Sequence, residues 1–476
     1  MFASAILLCL CVLFILLQLT TRRPKNFPPG PPLVPVLGNL LEMTVGSPLE
    51  DFERLRKTYG NVYSLFFGSR PAVIVNGIKA VREALVTNAK DFAGRPQGLL
   101  VADLSENEGV ILADYGPRWK DHRRFALTNL RNFGMGKSAM EEKIHQEIKF
   151  IIDTMDENIG KTMSPESMIY LATSNIVCRV LFNARYNQND DFINVIIKGY
   201  SENAKILNGL SSTVSQSMFL RSQFGHIVLQ NLYGAHKKTR VPGQPRDFID
   251  SYLDEMEKDT EKDSTFSEDQ MCTFVLDLHF AGTDTTSNTM LTLFLYLTSK
   301  PQMQERCQEE IDRVLEGKDQ ASFEDRHQMH YMQAMIHEVQ RVANIVPLNV
   351  FHATVVDTEL MGYSIPKGTL VIPNMKSVLS EEGQWKYPHE FNPENFLNEQ
   401  GEFVKPEAFM PFSTGIRMCL GEGLARMELF LIPVMLLRKF KLIWPEDAGE
   451  PDYTQIFGGT MSPQPYRIKV QPRSTQ

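Results

Sequence analysis

Apolar and polar positions alternate in three different ways along the 476-residue chain. The first stretch, "FASAILLCLCVLFILLQL" from Phe2 to Leu19, has no charge and is just long enough to cross a bilayer. The second, "GNVYSLFFGSRPAVIVNG", holds two short runs rich in β-branched and aromatic residues, split at Gly68 to Pro71, which predicts a hairpin. From about Ile78 onward, helical spacing dominates. Extended segments punctuated by Gly and Pro return at 353–373. The polar stretches 239–247 and 254–270 resemble domain boundaries, but helical apolar spacing resumes on both sides of the second, which reads as a solvated helix face and loop. The pattern predicts a mainly α fold with small peripheral β-sheets.

The N-terminal run has neither the basic n-region nor the small-residue cleavage site of a secretory signal, so a cleaved peptide is the weaker alternative. Arg22, Arg23 and Lys25 follow it directly and should hold that end on the cytoplasmic side. Next comes "FPPGPPLVPVLGNL", whose prolines cannot continue a helix and stiffen the chain into a spacer. The expected organisation is a transmembrane signal anchor at 1–21, a basic flank and proline-rich hinge at 22–38, and one large catalytic domain at 39–476.

Composition narrows the picture. A net charge of −8, with no basic tract interleaved with aromatics, argues against nucleic acid as a partner. The six cysteines are scattered without a CxxC pair, so neither a zinc site nor a disulfide framework is indicated. The bulk of the chain belongs in a reducing compartment.

One cysteine stands apart. In "PFSTGIRMCLGEGLA", Cys419 lies just ahead of "GEGLARMELFLIPVMLLRKF", which reads as a long, largely buried helix. A free cysteine is ordinarily a small buried hydrophobe. At a helix N-terminus, however, unpaired N–H groups and the dipole favour a thiolate. Gly415 and Gly421 permit tight turns and close approach of a flat ligand, and Arg417 offers a fork suited to a carboxylate. A thiolate beside a carboxylate-binding arginine suggests an iron porphyrin, which carries a metal and two propionates.

Phe412, Gly415, Arg417, Cys419 and Gly421 match FxxGxRxCxG, and on these positions the chain resembles the haem-thiolate monooxygenases, the cytochrome P-450 family. The resemblance implies the P-450 fold, haem b as cofactor, and Cys419 as the axial ligand of its iron. "AGTDTT" resembles the family's oxygen-activation motif and implies Asp284 and Thr285 as an acid–alcohol proton relay. From the residues alone, Gly282 in that motif either weakens the helix ladder and opens a groove, or simply permits close helix packing. "EVQR" matches the family's ExxR element through Glu338 and Arg341, and "FNPENF" places Asn395 where an arginine often completes that network. "WKDHRR" resembles WxxxR and implies Trp119 and Arg123 as haem-binding. Arg95 and His352 match propionate-contacting positions of the vertebrate microsomal branch, with Phe351 in place of a common proline.

That branch handles drugs and fatty acids. Carried to this chain, it implies an endoplasmic reticulum membrane enzyme with its catalytic domain in the cytosol, hydroxylating or epoxidising lipophilic small molecules. Electrons would come from NADPH through a separate flavoprotein, the NADPH–haemoprotein reductase, with cytochrome b5 as an optional second donor; no Rossmann fingerprint is found in the chain itself. Lys120 and Lys137 fall in basic stretches that would dock the reductase. Pocket candidates by resemblance are Ala281, Val346 and Val350, with loops near 99–115, 200–220 and 457–461. The competing readings are a haem-thiolate isomerase needing no reductase, against which Asp284 and Thr285 argue, and a non-catalytic haem carrier or sensor.

Overall fold

The computed structural model describes residues 23–44, 48–98, 107–134, 138–190, 232–258 and 265–473, together with Val12 and Ile193. Apart from Val12, the expected anchor at 1–21 lies outside the described residues, as do the loop residues 99–106 and 200–220 and Lys137. Among the described residues no helix is long and apolar enough to cross a membrane. Helices carry most of the fold, with small two- to four-stranded sheets, as the pattern predicts.

The chain forms two compact units. The smaller comprises Met1–Asp103, Val346–Glu381 and Phe412–Met418; the larger comprises Leu104–Ile345, Glu382–Pro411 and Cys419–Gln476.

In the smaller unit the predicted hairpin forms from strands Val62–Phe67 and Arg70–Val75, with Val62 opposite Val75 and Phe67 opposite Arg70. The turn is tighter than the Gly68–Pro71 span read from the sequence: Pro71 is already in the strand, opposite Phe66. Pro71 is tolerated because the next strand, Leu370–Pro373, begins its parallel pairing only at Ala72, so the missing N–H costs no ladder bond there. His352–Ala353 then pairs antiparallel with that strand and closes the four-stranded sheet. Val73, Ile74 and Val75 are fully buried, so this sheet is an interior support and not a solvated face.

The larger unit is organised on helix Glu268–Ser299, 32 residues long. Ser267 caps its start by accepting the Gln270 N–H at 3.2 Å. Helix Glu166–Leu181, buried on nearly every side, packs along it. At the contact, a Cβ on Gly282 would stand 2.8 Å from Val177 Cγ2. The helix runs through Gly282 without a break. At this contact the glycine permits close helix packing, and on the same turn the Thr285 hydroxyl donates to the Ala281 carbonyl at 2.6 Å. Helix Glu422–Lys439 is buried around its middle from Met427 to Val434, which is why its sequence shows no polar face.

Candidate functional site

A single 3-10 turn, Gly415–Arg417, leads the chain toward Cys419. Gly415 has φ +78°, and a Cβ there would stand 1.8 Å from the Leu85 carbonyl oxygen. No side chain fits, so the glycine of the motif is a steric requirement of this fold.

Arg417 is buried and donates Nε–H to the Ala93 carbonyl at 2.9 Å. The same stretch, Phe92 to Arg95, gathers two more basic side chains. His352 Nδ1 donates to the Phe92 carbonyl at 2.7 Å, and the Ala353 N–H donates to the Gly94 carbonyl at 2.8 Å. Arg95 reaches the carbonyls of Val350 at 3.2 Å and Phe351 at 2.9 Å. Burial holds His352 well below the usual imidazole range, and the charges of Arg95 and Arg417 push it further, against the Phe92 hydrogen bond. His352 is thus neutral with its proton on Nδ1, and its enclosed Nε2 has no hydrogen-bond partner among the described residues. An orphaned nitrogen under the influence of two guanidinium groups fits a carboxylate, whose charge would draw a proton onto Nε2 and complete the bond. The propionates of a haem meet that description.

Cys419 sits in the larger unit, two residues before Gly421, the N-cap of helix Glu422–Lys439. Its side chain can be touched by solvent, yet it is set deep among protein atoms. Burial pushes the thiol up; the Gly421 and Glu422 N–H groups and the Arg123 charge pull the other way, and the Glu422 charge adds to the rise. The N–H groups of the helix terminus favour the thiolate, as the dipole argument expects, and burial opposes them. A bound metal cation would complete the deprotonation, because coordination removes a thiol proton outright.

Trp119 and Arg123 share a face of helix Pro117–Asn132, with the guanidinium 5.4 Å from the indole centroid. Burial lowers the Arg123 pKa, and the nearby Cys419 opposes the shift. The Trp119 Nε1–H is committed to the Val110 carbonyl at 3.0 Å, so Trp119 offers its ring and not its donor.

Asp284 and Thr285 follow each other on helix Glu268–Ser299 and so project about 100° apart. Thr285 is half-buried and donates to the Ala281 carbonyl at 2.6 Å. Asp284 is 1% exposed and accepts from three side chains: Thr460 Oγ1 at 2.5 Å, Tyr170 Oη at 2.8 Å and Asn288 Nδ2 at 3.3 Å. Burial raises its pKa, and these hydrogen bonds counter part of the rise. Tyr170 and Thr460 carry no motif that would have marked them, beyond the place of Thr460 in the pocket loop near 457–461.

Glu338 and Arg341 pair on helix His330–Ala343, deep in the larger unit. Arg341 also donates to the carbonyls of Tyr387, Pro388 and Glu390. Asn395 donates to both Glu338 oxygens, at 3.2 and 3.3 Å. The network is closed with a neutral third member. Among the described residues one further set, His236, Asp247 and Asp250, is close enough to share a metal ion. Its charges are already matched, His236 to Asp247 at 2.8 Å and Arg246 to Asp250 at 2.6 Å.

The pocket candidates Ala281, Val346 and Val350 are all half-buried, the first in the larger unit and the other two in the smaller.

Comparison with known proteins agrees with this chemistry. The family model described as cytochrome P-450 matches residues 28–470. Cytochrome P-450 2D9 of Mus musculus is 38% identical over 479 residues, covering 96% of this chain and 95% of the relative. Vitamin D(3) 25-hydroxylase of Sus scrofa is 38% identical, covering 98% and 97%, and cytochrome P-450 2K1 of Oncorhynchus mykiss is 39% identical, covering 93% and 91%. The chain belongs to the cytochrome P-450 family and is, like its relatives, a monooxygenase.

Proposed function

We propose that this cytochrome P-450 is anchored in the endoplasmic reticulum membrane through residues 1–21, with its catalytic domain in the cytosol. There it hydroxylates or epoxidises lipophilic substrates, foreign compounds and polyunsaturated fatty acids among them. Cys419 ligates the haem iron. Arg95, His352 and Arg417 hold the propionates, aided by Arg123 and the ring of Trp119. When bound, the haem supplies dioxygen activation, with one oxygen atom inserted into the substrate and the other released as water. Thr285 and Asp284 hold and pass the two protons that this consumes in a pocket poor in water.

The observation that carries this reading is the enclosed Nε2 of His352, under the charge of two buried guanidinium groups, one of which, Arg417, belongs to the Cys419 motif. It supplies anion-binding capacity where an iron-ligating thiolate follows two residues after Arg417. Lipophilic substrates are supported by the apolar character of Ala281, Val346 and Val350, and by a relative named for vitamin D(3) hydroxylation. Such pockets discriminate weakly between apolar shapes. NADPH electrons arrive through a separate flavoprotein reductase, with cytochrome b5 as a second donor. Lys120, exposed on helix Pro117–Asn132, contributes to docking.

The deciding experiment is the absorption spectrum of the dithionite-reduced protein under carbon monoxide, for wild type and Cys419→Ser. A strongly red-shifted Soret band lost in the variant is expected. A histidine-like spectrum in folded wild-type protein would remove Cys419 as the axial ligand and the monooxygenase reading with it. For docking, Lys120→Glu should slow turnover at limiting reductase; an unchanged rate would remove the lysine from that role.

A further inference from the structure

The carboxyl of Asp284 is hydrogen-bonded to residues other than Thr285, the hydroxyl it is expected to serve. Its Oδ2 is held by Thr460 Oγ1 at 2.5 Å, and its Oδ1 by Tyr170 Oη at 2.8 Å. Thr285, one residue on, spends its proton on the Ala281 carbonyl at 2.6 Å. The two clamping residues come from separate parts of the larger unit. Tyr170 is fixed on helix Glu166–Leu181, with its oxygen also 3.2 Å from Asn288 Oδ1. Thr460 lies in the segment 457–461, whose next residue, Met461, donates its N–H to the Ile345 carbonyl at 2.8 Å. Both clamping side chains are about 5% exposed, so water does not compete freely for the carboxyl.

We propose that Tyr170 and Thr460 are positioning residues for proton delivery, clamping the Asp284 carboxyl from two sides so that it enters the relay from one fixed place. This rests on the assignment of Asp284 and Thr285 as the relay. Monooxygenation consumes two electrons from NADPH and two protons per dioxygen, and one oxygen leaves as water. If the protons arrive without O–O cleavage, both oxygen atoms leave together as hydrogen peroxide and the same electrons are wasted. The clamp acts on that partition. Because Thr460 belongs to a segment expected to line the substrate pocket, movement of that segment is transmitted directly to the proton donor.

The test uses full-length haem-loaded protein with reductase in four variants: Tyr170→Phe, Thr460→Val, Asp284→Asn and Thr285→Ala. Peroxide formed per NADPH should rise about fivefold in the first two, the scale of one lost hydrogen bond, with a larger solvent isotope effect on turnover. Product formation driven by added hydrogen peroxide, which needs no delivered electrons, should be retained. Thr460→Ser, which keeps the hydroxyl, should restore coupling, and it also serves if Thr460→Val fails to fold. Independently of turnover, the infrared carboxyl band that disappears in Asp284→Asn should move to higher wavenumber in Thr460→Val, because the carboxyl has lost a donor. Unchanged coupling and an unmoved band in Tyr170→Phe and Thr460→Val, with Asp284→Asn and Thr285→Ala uncoupled, would overturn the clamp alone. Equal loss of NADPH-driven and peroxide-driven product would also overturn it, as a purely structural defect. Full coupling in Asp284→Asn and Thr285→Ala would overturn the relay beneath it.

Discussion

Glu338 and Arg341 face each other through two hydrogen bonds of 2.7 Å, and neither side chain is more than 2% exposed. One turn of helix brings them together, but the surroundings decide their value. The Asn392 N–H and Asn395 Nδ2 also serve the carboxylate, and three carbonyls saturate the guanidinium. Removing one charge would strand the other away from water.

We expect Glu338→Ala to lose about 3–5 kcal/mol of stability, enough to prevent recovery of folded haem protein. Asn395→Ala should fold and lose about 1–3 kcal/mol, because both Glu338 oxygens, the Tyr387 carbonyl and the Tyr387 N–H lose a partner. Denaturant unfolding of both variants checks the ranking; an Asn395→Ala cost equal to that of Glu338→Ala would refute it.

Gly415→Ala should be far worse than an ordinary glycine substitution. The added methyl would meet backbone at 1.8 Å, and the residue would be held at φ +78°. A penalty above about 2 kcal/mol is expected, with the thiolate-type carbon monoxide spectrum lost. Gly401→Ala is the control: it has a similar φ of +76° and nothing near its Cβ, so it should retain the spectrum.

Glu428 is fully buried on helix Glu422–Lys439, and neither carboxyl oxygen has a hydrogen-bond partner among the described residues. Burial raises its pKa well above the usual carboxylate range. The unfolded chain releases this proton near pH 4.3, whereas the folded protein keeps it to higher pH. Stability from this group is therefore full below about pH 4.3 and falls as the pH rises toward the folded value. Glu428→Gln escapes that fall, so its melting temperature should gain on wild type between pH 5 and 8, read by calorimetry about these two pH values. A constant difference across the range would show that the carboxyl is not held neutral.

His236 gives the same sign by a different route. Burial opposes its charge, but the Asp247 hydrogen bond and charge, with the Leu232 carbonyl, more than offset it and raise the pKa. The stabilisation is complete below the unfolded value of about 6.5 and is lost as the pH rises through the higher folded value. The melting-temperature advantage of wild type over His236→Gln should shrink from about pH 6 to about pH 9. An advantage that grows with pH would contradict a charged His236.

Local signals in the chain were readable where one segment contains all that is needed. The hairpin at Val62–Val75, the long helix around Gly282 and the Cys419 motif each depend on residues a few positions apart. Gly415 could be read as a tight turn from its place in the motif, and its φ of +78° agrees. What stayed hidden depends on partners brought from far along the chain. Tyr170 and Thr460 lie 114 and 176 residues from Asp284 and are ordinary residues in sequence. Asn395 could be read only as a departure from an arginine, until its amide was found against both Glu338 oxygens. The indole N–H of Trp119 is taken by a carbonyl that no pattern names. Glu428 sits in an apolar run whose only visible oddity is one charge among buried neighbours.

The parallel pairing of Ala72–Val75 with Leu370–Pro373 also sets an order of events during synthesis. The two partners are separated by about 300 residues, which a ribosome takes on the order of 15–60 s to add at ordinary elongation rates. Throughout that interval the strand Arg70–Val75, apolar and destined for the interior, has only its hairpin partner and presents an open edge. The smaller unit cannot complete its sheet on the ribosome until most of the larger unit has emerged. Truncation anywhere before Leu370 should therefore leave an aggregation-prone hairpin, and a nascent chain of this enzyme needs protection of its first hundred residues for nearly the whole of its translation.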